Sequence, residues 1–488
     1  MSWALVAIFA VPPAAAALSF LDGWRSARTT TLVAGLATLG LAVALAVDVA
    51  GDRTLDAAGG WLRLDALGAV FLAATGLLYA MAAVFSMGYF AGHEHEHGFP
   101  AYARRYYALL NLFGWTMVAV PLAADFGTLW VAVELTTIIS ALLVAIDRTD
   151  AALEASWKYV LIASSGLGIA LLAIIFLYAT GTTAFGDAYV PRFEGFFAHA
   201  DALSDDTVRL AFVLAMVGFG TKAGFVPTHT WLPDAHSEAP APVSSMLSGA
   251  LLAGAFYAVL RFFQVSVAAG DRAFAEHVLT VLGALSLVVA GLFVLRQSNF
   301  KRLLAYSSIE HMGVIAIGVG FGAPLAVAGA LLHVITHAAA KGLAFLGSGS
   351  LLRRFDTKEV DGVTGAAAVM PCSGPMFLAA IVALCGLPVS GVFRSEFQIV
   401  SGGFAADGYI GVALLLVFVN VAFFGLMWHA ARMVLTPADG ATARGEVSPW
   451  MVAGMAGCLI VLIALGVHLP GRLSELLDGA VTLLHAPA

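Results

Sequence analysis

Charged residues are scarce in this chain. Of its 488 residues only 11% are Asp, Glu, Lys or Arg, whereas 60% are hydrophobic, and the mean hydropathy is +0.92. A soluble globular domain carries about 25% charged residues. The shortage of charge therefore excludes a soluble enzyme. Repeated apolar runs of about 18 residues or more predict an all-α, polytopic membrane protein instead.

Cysteine is also rare. Cys372, Cys385 and Cys458 offer neither a disulfide framework nor a CxxC motif. The sequence contains no phosphate-binding loop, no matched pair of histidines for a haem and no basic block for nucleic acid. We therefore predict no cofactor, no metal ion and no nucleic-acid partner. The alternating His and Glu residues from His93 to His97 are interpreted as a solvated loop.

The apolar runs predict about fourteen spans in a single transmembrane domain, residues 1–488. No connection is long enough to form a separate domain, and the first run has no Lys or Arg ahead of it, which favours a spanning helix over a signal peptide. The predicted spans centre near Phe9, Leu39, Leu77, Phe113, Ile138, Leu167, Val217, Leu252, Leu285, Gly313, Ala339, Leu384, Leu416 and Ile460.

Basic residues are distributed unevenly between the two predicted sides. The odd-numbered loops hold twice as many as the other side, so the positive-inside rule places these loops in the cytoplasm and both termini outside. The smaller set consists of Arg53, Arg63, Arg192, Arg209, Arg261, Arg272 and Arg472. Three basic residues then remain within the spans, namely Lys222, Lys341 and Arg394.

Three carboxylates, Glu134, Glu310 and Glu396, also lie within apolar runs. A charge at the centre of a membrane helix costs about 2.5–3.5 kcal/mol on insertion scales, and such residues are functional by default. Structural ion pairs are the alternative. Arg394 lies two residues from Glu396 and is given a supporting role as its partner.

The segment from Ala211 to Leu251 carries Lys222 in the middle of a predicted span. Pro227 and Pro233 then interrupt the span, and a polar stretch that includes His229 follows. Interrupted backbone at membrane depth is tolerated only where it is buried in protein or lines a wet cavity. The combination of a buried amine and a broken helix predicts an ion path.

A second segment, ALLHVITHAAAKGLAF, places His333, His337 and Lys341 four residues apart, on one helix face. Imidazole passes a proton between its two nitrogens near neutral pH, and burial favours the neutral form of an amine. We interpret the three residues as a proton relay, with polar contacts between helices as the alternative. His311, beside Glu310, is a supporting residue.

Four segments resemble the antiporter-like subunits of respiratory complex I and the related Mrp and membrane-bound hydrogenase complexes. They are FGTKAGFVPTHTWLPDAHSEAPAPVS, NFKRLLAYSSIEHMG, LLHVITHAAAKGLAFLGSGS and GLPVSGVFRSEF. The strings AYSSIEHMG and SEAPAPVSSMLSG favour the branch of component F of hydrogenase-4 and the similar subunit of formate hydrogenlyase. The resemblance extends from about Tyr106 to Met433.

The resemblance implies a fold of fourteen helices that holds two inverted five-helix repeats, here residues 106–266 and 273–435. N-terminal helices in residues 1–100 and a C-terminal helix in 449–470 complete it. Each repeat is expected to contain a broken helix. The segments GFGTKAGFVP and GLPVSGVFRSEF both combine Gly, Pro and a charge, as expected for repeats on either side of a midplane site.

The resemblance also implies roles along a chain of buried charges. Glu134 matches a glutamate that pairs with the lysine at Lys222, and Lys301 matches a lysine at the start of a following helix. Lys341 matches the central lysine of the broken helix in the second repeat. Glu396 matches the terminal position, which is lysine in some relatives.

One departure concerns the helix after the first break. Many members of the family carry a histidine there, whereas this chain offers only Ser244, Ser245 and Ser248. The link between the two repeats would then pass through hydroxyl groups or water.

The predicted function is redox-driven proton translocation in a prokaryotic cytoplasmic membrane. The expected partners are other membrane subunits and a peripheral redox module with nickel–iron or iron–sulfur subunits. The alternatives are a subunit of an Mrp-type Na⁺/H⁺ antiporter, the membrane subunit of an inorganic-carbon uptake complex, and a structural anchor for a hydrogenase.

Overall fold

The computed structural model describes residues 2–21, 23–51, 53–186, 192–438, 440 and 442–486, and most of them are helical. A short antiparallel hairpin of β1 (Leu55–Ala57) and β2 (Leu62–Leu64) joins two of the helices. The helices are α1 (Ser2–Leu21), α2 (Trp24–Val49), α3 (Ala66–Tyr89), α4 (Phe99–Leu122), α5 (Phe126–Val144), α6 (Asp150–Phe185), α7 (Phe193–His199), α8 (Asp205–Ala223), α9 (Trp231–Glu238), α10 (Ala241–Met246), α11 (Leu252–Ala268), α12 (Arg272–Val294), α13 (Phe300–Gly320), α14 (Pro324–Phe355), α15 (Ala366–Val369), α16 (Ser373–Leu384), α17 (Gly391–Ala405), α18 (Tyr409–Val434), α19 (Pro449–Val467) and α20 (Gly471–His485).

Eleven helices among the described residues are long and apolar enough to cross a membrane. The all-α membrane architecture is therefore confirmed. Three predicted centres, Phe113, Val217 and Leu384, fall on α4, α8 and α16, which are not among the eleven. The number fourteen stays a prediction.

Both predicted helix breaks are present. Between α8 and α9, Gly224 has a φ of 85°, which glycine adopts without a steric penalty. Between α16 and α17, Gly386 has a φ of 62°, and the Ser390 hydroxyl accepts a bond from the backbone N–H of Phe393 to begin α17. Each break therefore ends one half-helix and begins another, and the second break also caps the half-helix that follows it.

The helix that carries Lys341 is continuous. It extends from Pro324 to Phe355, and within it the glycines keep helical dihedral angles and no further proline occurs. The assignment of Lys341 to a broken helix was therefore wrong. The second break lies instead beside Glu396.

One residue assigned to a loop is buried within the bundle. Arg261 lies on α11, is 2% exposed, and forms an ion pair with Asp65 at 2.7 Å. Its guanidinium also donates to Tyr257 and to Gln264. Gln264 in turn donates to the backbone oxygen of Leu483 on α20, a helix that the sequence did not predict. The assignment of Arg261 to a loop was thus wrong. Hydropathy treats every arginine as exposed and does not reveal that this one is paired with a buried carboxylate.

Close packing of α6 against α8 depends on glycine. A side-chain Cβ at Gly218 would collide with the backbone nitrogen of Ala170, and one at Gly166 would lie 2.6 Å from the Cβ of Thr221. Small residues at such crossings let helix backbones approach closely in lipid. The approach places Lys222, at the end of α8, against the side chains of α6.

Replacing Gly166 with alanine is expected to destabilise the fold, because overpacking of this kind costs about 1–3 kcal/mol. Gly168→Ala is the matched control on the same helix, since its Cβ would meet no atom within 4 Å and alanine is the better helix former. The melting temperature of the full-length chain in detergent measures both effects. Equal melting temperatures for the two variants would contradict the close α6–α8 contact.

Candidate functional site

The Lys222 ammonium is held by oxygen atoms from two neighbouring helices. Its Nζ donates to Thr137 Oγ1 on α5 at 2.5 Å and to the Tyr159 hydroxyl on α6 at 2.6 Å. It also lies 4.9 Å from the centre of the Tyr159 ring, a favourable cation–π distance. The Tyr159 hydroxyl continues to Ser140 Oγ at 2.8 Å. Lys222 is fully buried, so these groups replace its hydration shell.

Glu134 and Lys222, the expected pair, are not in contact. Within the part of the chain that the structure describes, Lys222 forms no ion pair, and Glu134 Oε1 accepts instead from Ser164 Oγ at 2.8 Å. The other Glu134 oxygen is buried without a hydrogen bond. The two residues still interact electrostatically. The structure thus shows the separated arrangement of this pair.

A contact between two hydroxyl groups bridges the helices that follow the first break. Ser248, in the π-helical segment Leu247–Leu251, lies 2.7 Å from Ser308 on α13. Ser308 Oγ donates to the backbone oxygen of Leu304 at 3.0 Å, and Lys341 Nζ donates to the same oxygen at 3.1 Å. Ser248 thus supplies a hydroxyl contact to α13, whereas no hydrogen bond joins Ser248 to Lys222 among the described residues.

Lys301 is buried at the start of α13. Its Nζ donates to the backbone oxygens of Ser237 and Ala239 at 3.0 and 2.6 Å. These carbonyls lie at the C-terminal end of α9, where the helix dipole favours a cation. Lys301 thus stabilises the end of the half-helix that follows the first break.

Three histidines cluster beyond Lys341. His311 Nδ1 lies 3.0 Å from His333 Nε2, and His333 Nδ1 lies 2.9 Å from Ser395 Oγ on α17. The His337 ring packs 5.2 Å from that of His311. All three histidines are 0% exposed. α13, α14 and α17 therefore converge on one imidazole cluster.

Glu310 and Glu396 flank this cluster. Glu310 is buried next to His311 and interacts electrostatically with Lys341. Glu396 Oε1 lies 3.8 Å from His311 Nδ1. Glu396 also lines a cavity of about 330 Å³ together with Cys385 and other residues near the second break. The carboxylate therefore stands between the imidazoles and an opening in the protein surface.

Of the three supporting residues, His311 belongs to the imidazole cluster, whereas Arg394 and His229 lie apart from these contacts. Arg394 forms no ion pair with Glu396 among the described residues, because positions two apart project to different sides of a helix. His229 lies in the first break, with its ring 6.4 Å from that of Tyr306. Its Nδ1 has no hydrogen-bond partner within the described structure.

Two polar cavities flank Lys301 on the side where α9 ends. One, of about 500 Å³, is lined by His93, Glu96 and His97 of the predicted loop and by Pro240. The other, of about 300 Å³, is lined by charged residues and by Ser237. Ser237 and Ala239, which accept from Lys301, thus separate the lysine from the two openings.

Sequence reasoning missed the uncharged members of the site. Thr137, Tyr159 and Ser395 each contact a titratable residue, and Ser308 shares the Leu304 backbone oxygen with Lys341. Their spacing offered a weak signal, because Thr137 lies three residues after Glu134, on the same face of α5. We define the buried polar path as the set of Glu134, Ser164, Thr137, Tyr159, Lys222, Ser248, Ser308, Lys341, Glu310, His311, His333, His337, Ser395 and Glu396. Hydrogen bonds join these residues in separate groups, around Lys222, between Ser248 and Ser308, and from His311 through His333 to Ser395.

Comparison with known proteins agrees with this architecture. Residues 123–423 match the model of the family described as NADH:quinone oxidoreductase/Mrp antiporter, TM. A hydrogenase-4 component F homolog from Methylacidiphilum infernorum (isolate V4) is 33% identical over 437 residues, which cover 88% of this chain and 90% of that protein.

Two solved structures share the fold. A chain of the Mrp complex from Dietzia sp. DQ12-45-1b has a TM-score of 0.87 at 20% identity and covers 100% of this chain and 98% of its own. A chain of respiratory complex I from Thermus thermophilus with bound NADH has a TM-score of 0.85 at 22% identity, with 99% of each chain covered. The resemblance found in the motifs is confirmed, and the chain belongs to the NADH:quinone oxidoreductase/Mrp antiporter family as an antiporter-like membrane subunit.

Proposed function

We propose that this subunit moves protons along the buried polar path as part of a redox-driven membrane complex. One observation carries the proposal. The amines of Lys222 and Lys341 are fully buried, yet each is held by neutral oxygen atoms and forms no ion pair with a carboxylate among the described residues. A structural charge would be paired, because an unpaired buried charge is costly. An amine that gives up its proton in turn needs no permanent partner.

Protons would reach the path from the cytoplasmic side, through the cavities that flank Lys301. The loop with His93 and His97 lines one of them, and histidine exchanges protons near neutral pH. From Lys301 the proton would pass to Lys341 of the buried polar path, whose amine would hold it. The His311–His333 contact would pass it to Glu396, and the cavity beside that carboxylate would release it.

The Glu134–Lys222 pair would act as a switch between the two halves of the path. When the two side chains approach, the carboxylate stabilises the ammonium; when they separate, as here, the ammonium loses that support and releases its proton. Two charges 4 Å apart at an effective dielectric constant of 20 interact by about 4 kcal/mol. Moving one charge across 100 mV requires about 2.3 kcal/mol. The switch can therefore drive transfer.

The side chains along the path favour protons over sodium. Amines and imidazoles bind a proton covalently, whereas hard cations prefer clusters of oxygen ligands. The second half of the path presents Lys341 and three histidines to a passing ion. A subunit that moved Na⁺ through this region would need several more carboxylate or carbonyl oxygens.

The assembly proposed for this chain follows its relatives. The solved structures that share its fold are subunits of larger complexes, so we expect other membrane subunits and a peripheral redox module with nickel–iron or iron–sulfur subunits to supply the driving energy. The location would be a prokaryotic cytoplasmic membrane with both termini outside. The two repeats would span residues 106–266 and 273–435, each with one of the observed breaks.

Replacing Lys341 with methionine is expected to abolish proton translocation by the complex, because no other amine occupies that position of the path. The pH gradient formed by membrane vesicles that contain the assembled complex is the measurement, with electron donor oxidation followed in parallel. Arg472→Gln is the control, because Arg472 is exposed and its ion-pair partner among the described residues is the exposed Glu475. A full gradient with Lys341→Met would favour the structural-anchor alternative.

Replacing Tyr159 with phenylalanine removes one of the two hydroxyl groups that hold the Lys222 ammonium. A hydrogen bond to a charged group contributes about 1.5–3 kcal/mol, so we expect the translocation rate to fall about tenfold or more. Tyr106→Phe is the matched control, since the hydrogen-bond partner of the buried Tyr106 hydroxyl within the described structure is the neutral Ser86. Equal rates for the two variants would show that Tyr159 does not hold the transported charge.

Replacing Ser248 with alanine breaks the hydroxyl contact between α13 and the segment after the first break. We expect slower translocation without loss of assembly, because proton transfer through hydroxyl groups needs an unbroken series of contacts. Ser245→Ala is the control, since Ser245 is equally buried but donates only to Pro242 of its own helix. Unchanged rates in the Ser248 variant would mean that the two halves work without this link.

A further inference from the structure

Three ligand atoms converge at the Glu396 end of the buried polar path. His311 Nδ1 lies 3.0 Å from His333 Nε2 and 3.8 Å from Glu396 Oε1, and all three atoms are within 4.8 Å of one another. A tetrahedral Zn²⁺ ion with bonds of 2.0–2.2 Å holds its ligand atoms about 3.3–3.6 Å apart. To coordinate a metal, the two imidazole nitrogens would therefore move slightly apart and Glu396 Oε1 would move slightly closer to them.

The hydrogen bonds around the cluster are compatible with a metal-binding tautomer of His333. Ser395 Oγ lies within hydrogen-bond distance of the backbone oxygens of Gly391 and Val392. When its single proton points to one of them, the hydroxyl accepts from His333 Nδ1–H at 2.9 Å. His333 Nε2 is then left with its lone pair, directed at His311. This is the arrangement of metal-binding histidines, whose second nitrogen donates to an outer partner.

The carboxylate oxygen in the cluster has no competing partner. Glu396 Oε1 is buried and accepts no hydrogen bond within the described structure. Without a metal, and with His333 in this tautomer, His311 Nδ1–H donates to His333 Nε2 and so joins the two imidazoles. A metal ion would replace this proton, with His311 carrying its proton on Nε2 instead.

Charge and access also favour a divalent cation. Glu310 interacts electrostatically with Glu396 and with Lys341, so the two carboxylates balance a charge of +2 in the buried site when the Lys341 amine is neutral. The cavity of about 330 Å³ reaches Glu396, and Cys385 lines the same cavity. Two imidazoles and a carboxylate form a ligand set that Zn²⁺ accepts, with a fourth position left for water.

We propose that His311, His333 and Glu396 form a binding site for a divalent transition-metal ion of the zinc class, and that the bound ion blocks the proton path. The evidence for the metal site is the geometry of the three side chains. The proposal that the ion blocks the path rests on the proposed proton function, because the metal takes the position that a proton occupies between the two imidazoles.

A Co²⁺ titration of the full-length chain in detergent tests binding without any transport assay. The visible absorption of the ion reports its coordination, and we expect one Co²⁺ per chain, displaced by Zn²⁺. His333→Gln and Glu396→Gln are expected to abolish that absorption. Ser395→Ala, which removes only the outer partner, should weaken binding about 10–100-fold. His429→Ala removes another buried histidine, on α18, and should bind Co²⁺ like wild type.

Size-exclusion profiles and helical circular dichroism verify that each variant is folded. Absence of a Co²⁺ site in folded wild-type chain, or undiminished binding by folded His333→Gln, would overturn the metal site. In vesicles that contain the complex, Zn²⁺ should suppress the pH gradient of wild type and His429→Ala equally. If the suppression of the pH gradient did not saturate with Zn²⁺ as expected for one binding site, the proposal that the bound ion blocks the proton path would be overturned. Failure of the proton function would appear separately, as a normal gradient in Lys341→Met, and would leave the Co²⁺ result intact.

Discussion

Solvation of ammonium groups inside a hydrocarbon layer is the constraint on which this structure depends. A lysine buried in a membrane protein needs oxygen atoms of the protein as hydrogen-bond acceptors. The two central lysines use different acceptors. Lys222 takes hydroxyl groups from α5 and α6, whereas Lys341 takes a backbone carbonyl of α13. Both solutions require helices to pack closely, which explains the glycines at the α6–α8 crossing.

The broken helices extend the same principle. A helix that ends inside a membrane exposes carbonyl groups that have no partner of their own. Lys301 donates to two of them at the end of α9. The carbonyl groups thereby gain a hydrogen-bond donor, and the buried amine gains acceptors. At the second break, the chain turns beside Glu396 and opens a cavity there. The breaks thus place polar backbone where the ionisable side chains need it.

The fold and the charged members of the site could be predicted from the sequence, because a charge in an apolar run is conspicuous. The breaks were equally visible, since Gly and Pro cluster around Lys222 and Glu396. Hydroxyl-bearing partners such as Tyr159 and Ser308 were not, because the same residue types face lipid or neighbouring helices throughout any membrane protein. Arg261 was misplaced for a related reason. Its charge is neutralised by Asp65, which is almost 200 residues away in sequence.

The π-helical segment has a mechanical consequence for the path. A π turn accommodates one residue more than an α turn, and successive residues of an α-helix are rotated by about 100° around its axis. If Leu247–Leu251 relaxed to α geometry, the extra residue would rotate the adjoining helix by about 100°, and this rotation would separate Ser248 from Ser308. A local change in helical winding, rather than a movement of domains, would then open and close this hydroxyl contact.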